Sequence, residues 1–329
     1  MSDTMGAVVI TEPGGPDVLE LRRVPMPEPG PGEARVRVAT SGLNRADLLQ
    51  RMGRYPAPPG SPKDIPGLEL SGTVDALGPG VTMWSVGDAV MGILGGGGYA
   101  EYALSPASTL VRVPVGMDPA VGGAIPEVFM TAFDAIFLQE RLAAGETLLV
   151  HAVGSGVGTA AVQLARRAGA RVIGTSRTPD KLGRAAAFGL EHSVLADDAW
   201  PERVLELTRG RGVDVILDLV GGPYLAGNQR VIAERGRHVV VGVPAGSSST
   251  IDLRALMGRR ASIRGTVLRA RPVGEKEALA RAFAADVLPG FEAGELEPVI
   301  DHVFPAREAA EAHRRMEENR NFGKILLAW

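Results

Sequence analysis

Glu146-Thr-Leu-Leu-Val-His-Ala-Val-Gly-Ser-Gly-Val-Gly-Thr-Ala-Ala-Val-Gln-Leu-Ala165 is the stretch whose reading decides the fold. Its spacing predicts a short apolar strand over Thr147 to Ala152, a tight turn over Gly154 to Gly158, and a helix from Thr159 with an apolar face at Ala161, Val162, Ala165 and Ala168. Strand, glycine turn and helix in that order form an anion site. The first backbone N–H groups of a helix lack intrahelical partners and carry the positive end of its dipole. Gly154, Gly156 and Gly158, with Ser155 and Val157 between them, keep bulky side chains away from a pyrophosphate settling there. The bland alternative is a glycine-rich turn without a ligand. Strands expected at Arg171 to Thr175, Val213 to Leu219 and Arg237 to Val243 argue against it, because they set the turn in a βαβ series.

The 329 residues suggest two domains, and 45% hydrophobic with 22% charged residues describes a globular chain with ample core. A net charge of -3 gives no electrostatic case for binding nucleic acid or an anionic membrane, so a small-molecule partner is favoured. No cysteine is present, which removes disulfides, thiolate zinc sites, iron-sulfur clusters and thiol nucleophiles. Redox chemistry would need a borrowed cofactor. Neither a signal peptide nor a membrane-spanning run is visible, and the expected location is the cytoplasm.

Short strands are expected at Ala7 to Ile10, Leu19 to Arg23, Ala34 to Thr40, Gly72 to Leu77, Ala89 to Gly92, Gly98 to Leu104 and Leu110 to Val113, separated by Gly- and Pro-rich turns. They predict an antiparallel barrel or sandwich in the first third. Asp118 to Leu138 takes a helical period and links into an alternating region that runs to about Gly265, the pattern of a doubly wound parallel sheet in an α/β chain. Two helices, Glu275 to Leu288 and Arg307 to Asn319, and a strand over Gly323 to Ala328 close the chain and are expected to return to the first domain.

Ala7-Val-Val-Ile10, Ser41-Gly-Leu-Asn-Arg-Ala-Asp47, Pro66-Gly-Leu-Glu-Leu-Ser-Gly72, Gly78-Pro-Gly-Val81, Val86-Gly-Asp88, Gly98-Tyr-Ala-Glu-Tyr102, the glycine turn and Asn321-Phe-Gly-Lys324 stand in one order. In that order the chain resembles the zinc-free medium-chain dehydrogenase/reductases of the NADPH:quinone oxidoreductase, zeta-crystallin-like branch. The resemblance implies a GroES-like β-barrel catalytic domain (1–126 and 268–329), a Rossmann domain that binds NADPH (127–267), an active site in the cleft and a homodimer. An exposed edge strand near Ala261 to Arg264 is one way to pair. Where zinc enzymes of the wider superfamily carry Cys, His and Cys, the matching positions hold Asn44, Leu68 and Glu127, and amide and leucine do not replace thiolate and imidazole. No metal is expected. Ser155 stands where a glycine is usual, and Ala196 where relatives place a tyrosine beside the adenosine phosphate.

The second strand of the alternating region runs into Gly174-Thr-Ser-Arg-Thr178 with no acid to accept from a ribose 2'-hydroxyl. Ser176, Arg177 and Lys181 could instead meet a 2'-phosphate, which favours NADPH over NADH; the alternative is two solvated surface cations. By resemblance, Asn44, Tyr55 and Thr131 approach the nicotinamide and its ribose, Gly221, Gly242, Val243 and Leu268 follow strand ends along the dinucleotide, and Asn321 and Lys324 reach its phosphates. Tyr55, in Gly53-Arg-Tyr-Pro-Ala-Pro-Pro-Gly60, is a packing plug or a catalytic donor to a developing oxyanion. Asn44 is a turn-satisfying amide or a second catalytic donor. Glu127 is a helix-start carboxylate or a buried acid. His151 is read as a satisfied core residue, and the histidines show no metal spacing.

These readings converge on hydride or single-electron transfer from NADPH to a quinone without metal. The alternatives are reduction of an enone or enoyl thioester and, in another class, a non-catalytic NADPH- or RNA-binding protein.

Overall fold

The computed structural model describes residues 3–329. It divides into two compact units, one of residues up to Met130 together with Leu268–Trp329, the other Thr131–Val267. The division falls inside the helix Pro126–Phe133.

In the first unit β1 (Thr4–Ile10) and β2 (Leu19–Pro25) form an antiparallel hairpin. β3 (Glu33–Gly42), β4 (Glu69–Leu77), β5 (Ala89–Ile93), β6 (Tyr102–Pro106) and β7 (Val111–Arg112) pair antiparallel, β3 lying between β4 and β6. Alternation fixes their register, since Ala34, Val36 and Val38 point inward from β3 against Leu70, Val74 and Val90. The strand expected from Gly98 begins only at Tyr102. Gly97, Gly98 and Tyr99 donate their amides to Ile65, Gly67 and Pro66, which pins this segment to a loop instead of a ladder. A helix that the sequence pattern did not announce, Arg45–Arg51, follows β3.

The second unit holds six parallel strands: β8 (Thr147–Val150), β9 (Arg171–Ser176), β10 (His192–Leu195), β11 (Val213–Asp218), β12 (Ile232–Val240) and β13 (Ser262–Gly265). Their order across the sheet is β10-β9-β8-β11-β12-β13, which is the doubly wound dinucleotide-binding topology, with its reversal of direction between β8 and β11. The last strand before β13 ends at Val240, so Val241 to Val243 leave the sheet as a loop. The expected link from Asp118 to Leu138 is broken into Pro119–Gly122, Pro126–Phe133 and a π-helical turn Asp134–Gln139. Pro126 supplies no amide and disfavours a helical residue before it, so a single helix cannot run through it.

Two tail strands, β14 (Ile300–Pro305) and β15 (Lys324–Ala328), pair in parallel, and β15 continues antiparallel onto β3. The C-terminus thereby completes the sheet of the first unit. Together the units make an α/β chain with a GroES-like barrel domain and a Rossmann domain.

The helix after β8 is Gly156–Arg167, three residues earlier than its periodicity suggests. Gly158 lies in its first turn, where a Cβ would sit 2.6 Å from the Val153 carbonyl oxygen and 2.7 Å from that of Ala152. A side chain there pushes the helix off the strand. Gly158→Ala is therefore expected to cost about 1–3 kcal/mol in urea denaturation. Wild-type stability in that variant would show that the turn yields freely.

Candidate active site

The dinucleotide side is built at the carboxyl ends of β8, β9, β11 and β12. Ser155, in extended backbone, caps the helix Gly156–Arg167, and its Oγ accepts from the Gly158 amide at 3.0 Å. The serine thus takes one donor of the cradle for itself, a use that residue type alone did not reveal. Gly156 and Val157, at the first two helical positions, keep amides without a partner among the described residues and aimed out of the helix. Ala152 supports the turn in a left-handed conformation (φ 50°) that costs an alanine strain. The donor set suits a pyrophosphate.

Ser176 ends β9 and its Oγ accepts from the Thr178 amide at 3.1 Å. Thr178 and Pro179 take the N-cap and first position of the helix Pro179–Ala186, although the threonine hydroxyl makes no capping bond. Arg177 is exposed and Lys181 half-buried in that first turn. Gly221 has φ 79°, and a Cβ there would sit 2.7 Å from Val243 Cγ1, so the loops after β11 and β12 meet at these two residues. Gly242 donates its amide to the Asp218 carbonyl.

Beneath this rim lies a polar network that only His151 foreshadowed. His151 Nδ1 meets Thr175 Oγ1 at 2.8 Å and Nε2 meets Asn228 Oδ1 at 2.7 Å, while the Trp200 and Tyr224 rings pack edge-to-face with its ring. Asn228 Nδ2 donates to Asp218 Oδ2 at 3.1 Å, and His238 bonds the same oxygen. Asp218 Oδ1 accepts from the Val220 and Gly221 amides, both at 2.8 Å. Burial drives the His151 ring down to about 4, so it is neutral. Burial opposes the charge of Asp218, but the bond from His238, the nearby His151 ring and those two amides outweigh it and lower its pKa. The network fixes the Gly221 turn from below.

In the first unit the chemistry gathers around a buried lysine. Lys324 Nζ donates to Leu43 O at 2.6 Å, Asn44 Oδ1 at 2.9 Å and Glu69 Oε1 at 2.5 Å, which uses all three of its protons. Asn44 Nδ2 donates to the same Glu69 oxygen at 2.9 Å. Asn44 also opens the helix Arg45–Arg51, where its amide donates to Asp47 Oδ2 at 2.8 Å in a capping box. Two expectations are corrected here. Lys324 is not a cation held out for phosphate, because its ammonium is 3% exposed and fully committed inside its own unit. Asn44 is not a free catalytic or ribose donor, because both side-chain ends are spent on Glu69 and Lys324.

Asn321 likewise turns inward and donates to Gly323 O at 3.0 Å. Leu268 and Thr131 are buried. Tyr55 stands half-buried in its proline loop with Arg269 over its ring at 5.0 Å. Arg269, itself 3% exposed, donates to Gly95 O at 2.8 Å, Tyr55 O at 3.2 Å and Gln50 Oε1 at 2.5 Å, stapling three segments. Burial raises the Tyr55 hydroxyl above its ordinary value. It is a hydrogen-bond donor across the physiological range. Arg269, Glu69 and Asp47 were not singled out from the sequence, and only the motifs containing Glu69 and Asp47 hinted at them. Among the described residues no group of three His, Cys, Asp or Glu side chains could hold a metal ion, and no helix is long and apolar enough to cross a membrane.

A deeper chain backs Asp47. Arg51, fully buried, donates to Gly14 O at 3.0 Å, to Glu317, and to His313 Nδ1 at 3.3 Å. Burial holds His313 near 3, so the ring is neutral, and with Nδ1 accepting, its proton lies on Nε2 facing the Tyr99 hydroxyl at 3.3 Å. Tyr99 donates onward to Asp47 Oδ2 at 3.3 Å. Burial lifts the Asp47 carboxyl to about 6 against the Asn44 and Gly67 amides and the charges of Lys324 and Arg269.

Residues 30–115 match the alcohol dehydrogenase GroES-like domain model, and 156–285 match the zinc-binding dehydrogenase model. Quinone oxidoreductase from Lama guanicoe is 32% identical over 98% of this chain and 97% of its own length. A solved NAD-dependent alcohol dehydrogenase superposes with TM-score 0.88 at 36% identity, covering 99% of this chain and 100% of that one. A mycobacterial protein solved with NADPH gives TM-score 0.88 at 30% identity over 99% of this chain and 100% of its own. With its two matched domains and whole-length relatives, the chain belongs to the medium-chain dehydrogenase/reductase family, in the quinone oxidoreductase branch, and is a nicotinamide-dependent oxidoreductase.

Proposed function

We propose that the chain is a zinc-independent NADPH:quinone oxidoreductase, working in the cytoplasm as a homodimer. The observation that carries this reading is the placement of Lys324. Its ammonium fills the point where Leu43 O, Asn44 Oδ1 and Glu69 Oε1 converge, with Leu68 just before Glu69 in sequence, so the donor set serves an internal cation and not a Lewis-acid metal. Without a metal to polarise a simple ketone, the fitting acceptor is one activated by its own conjugation, and a quinone is the strongest of these.

Bound NADPH supplies the hydride. Gly156 and Val157 offer their amides to its pyrophosphate, and Asp218 holds the Gly221 turn in place. Tyr55 donates a hydrogen bond to the acceptor oxygen as negative charge develops there. At the end of β9 no carboxylate stands ready for a ribose hydroxyl, whereas Arg177 is exposed and Lys181 lies one turn on, which supports the 2'-phosphate. The neighbour solved with NADPH agrees with this choice and the NAD-dependent alcohol dehydrogenase does not, but a β9 end without a carboxylate favours the phosphate. The homodimer is supported by β13, an open sheet edge, and by Leu253 and Met257, which are 66% and 75% exposed on the preceding helix Leu253–Arg259.

Four outcomes are expected. Purified protein should oxidise NADPH faster with a benzoquinone than with a crotonyl thioester; the reverse order would make it an enoyl reductase. Tyr55→Phe should lower quinone turnover up to about 100-fold with NADPH affinity intact, and unchanged turnover would leave Tyr55 as packing. Arg177→Ala should weaken NADPH about 10- to 100-fold while leaving NADH affinity alone, read by nucleotide fluorescence titration. Light scattering should return twice the chain mass, and a monomer would remove the edge pairing.

A further inference from the structure

Glu127 is the second residue of the helix Pro126–Phe133, and its backbone amide donates to Glu69 Oε2 at 2.8 Å. That bond ties the residue to the Asn44–Glu69–Lys324 cluster. Its own Oε2 lies out of solvent with no hydrogen-bond partner among the described residues, while the residue as a whole is only part-buried. Such an oxygen is costly as a carboxylate and cheap as a neutral acid.

No neighbouring cation hydrogen-bonds to the Glu127 carboxyl. The charged and titratable groups that act on Glu127 are Glu69, Lys324, Asp47 and Lys276, with Arg269 and Tyr55 close enough to feel its charge in turn. Lys324 gives its three protons to Leu43, Asn44 and Glu69. Lys276 donates to the Arg269 carbonyl at 2.7 Å, and Arg269 is spent on Gly95, Tyr55 and Gln50. Three carboxyls thus lie near one fully buried ammonium. Glu69 takes one of its protons, Asp47 takes the Asn44 and Gly67 amides and the Tyr99 hydroxyl, and Glu127 Oε2 has no donor among the described residues.

We propose that Glu127 is the general acid of the reduction, a carboxylic acid that hands its proton to the acceptor oxygen while Tyr55 only hydrogen-bonds to it. This rests on the quinone-reductase reading above. Two electrons and one proton reach the acceptor as hydride from the reduced nicotinamide. The second proton comes from Glu127: its O–H bond breaks as the acceptor's O–H bond forms, and the carboxylate is reprotonated by solvent. Burial, reinforced by Glu69, lifts Glu127 to about 8, where an acid is both loaded and able to give at neutral pH, whereas the raised Tyr55 hydroxyl is too weak an acid.

The test compares wild type with Glu127→Gln, which keeps shape and removes the proton. Infrared difference titration of the protein without nucleotide should show a protonated carboxyl in wild type at neutral pH, with its midpoint near 8, that is missing from the variant. Glu127→Gln should lose roughly 100-fold or more in kcat, lose the alkaline fall of the wild-type pH profile and keep its NADPH affinity. Stability supplies an independent check on folding. A raised carboxyl favours the fold at acid pH, and that advantage is lost between its ordinary 4.5 and about 8, so wild type should lose stability relative to the glutamine variant over that window. An ionised Glu127 at neutral pH, or a variant with wild-type kcat and pH profile beside an active wild type, overturns the inference alone. A wild type that oxidises NADPH with no conjugated carbonyl overturns it together with the reductase reading.

Discussion

One buried ammonium holds the first unit in its working shape. Lys324 sits on the last strand, yet its three acceptors come from the residue after β3, the cap of the following helix and the start of β4. A charge at 3% exposure is tolerable only because each of its protons has an oxygen, and taking away one partner of such a pair costs about 3–5 kcal/mol. The arrangement orients Asn44, fixes Glu69, and through Glu69 the start of the helix that carries Glu127. The last strand therefore helps to set where that helix begins.

The second unit solves the same problem with neutral groups. His151, Thr175 and Asn228 satisfy one another around a single ionised Asp218, whose charge is met by His238 and two amides of its own turn. A neutral imidazole is cheap to bury once both nitrogens are partnered. Charge is concentrated where a loop must be stiff, and the stacked rings of Trp200 and Tyr224 pack against His151.

How much of this was legible follows from how local each signal is. The glycine turn and the parallel sheet were readable because backbone sterics and periodicity act over a few residues. The helix start was misplaced because Gly156 and Gly158 look like turn residues, although Gly158 is there for close packing of helix on strand. The link over Asp118 to Leu138 kept a helical period across Pro126, and the period hid the break. Lys324 and Asn44 were both picked out, but their bond spans 280 positions, and no local pattern says that one will consume the other. Arg269 is the clearest omission. Its sequence neighbours are ordinary, and its role exists only where Gln50, Tyr55 and Gly95 converge on it.

The buried line from Arg51 through His313 and Tyr99 to Asp47 has a direction. A guanidinium lends hydrogens but does not surrender one, so every donor in the line points inward and none can be reversed from the Arg51 end. It therefore acts as a one-way latch and cannot conduct a proton from the Glu317 side to the interior. The hydroxyl hydrogen of Tyr99 is trapped between two fixed neighbours, and isotopic replacement of it by solvent has to wait for the barrel wall to open.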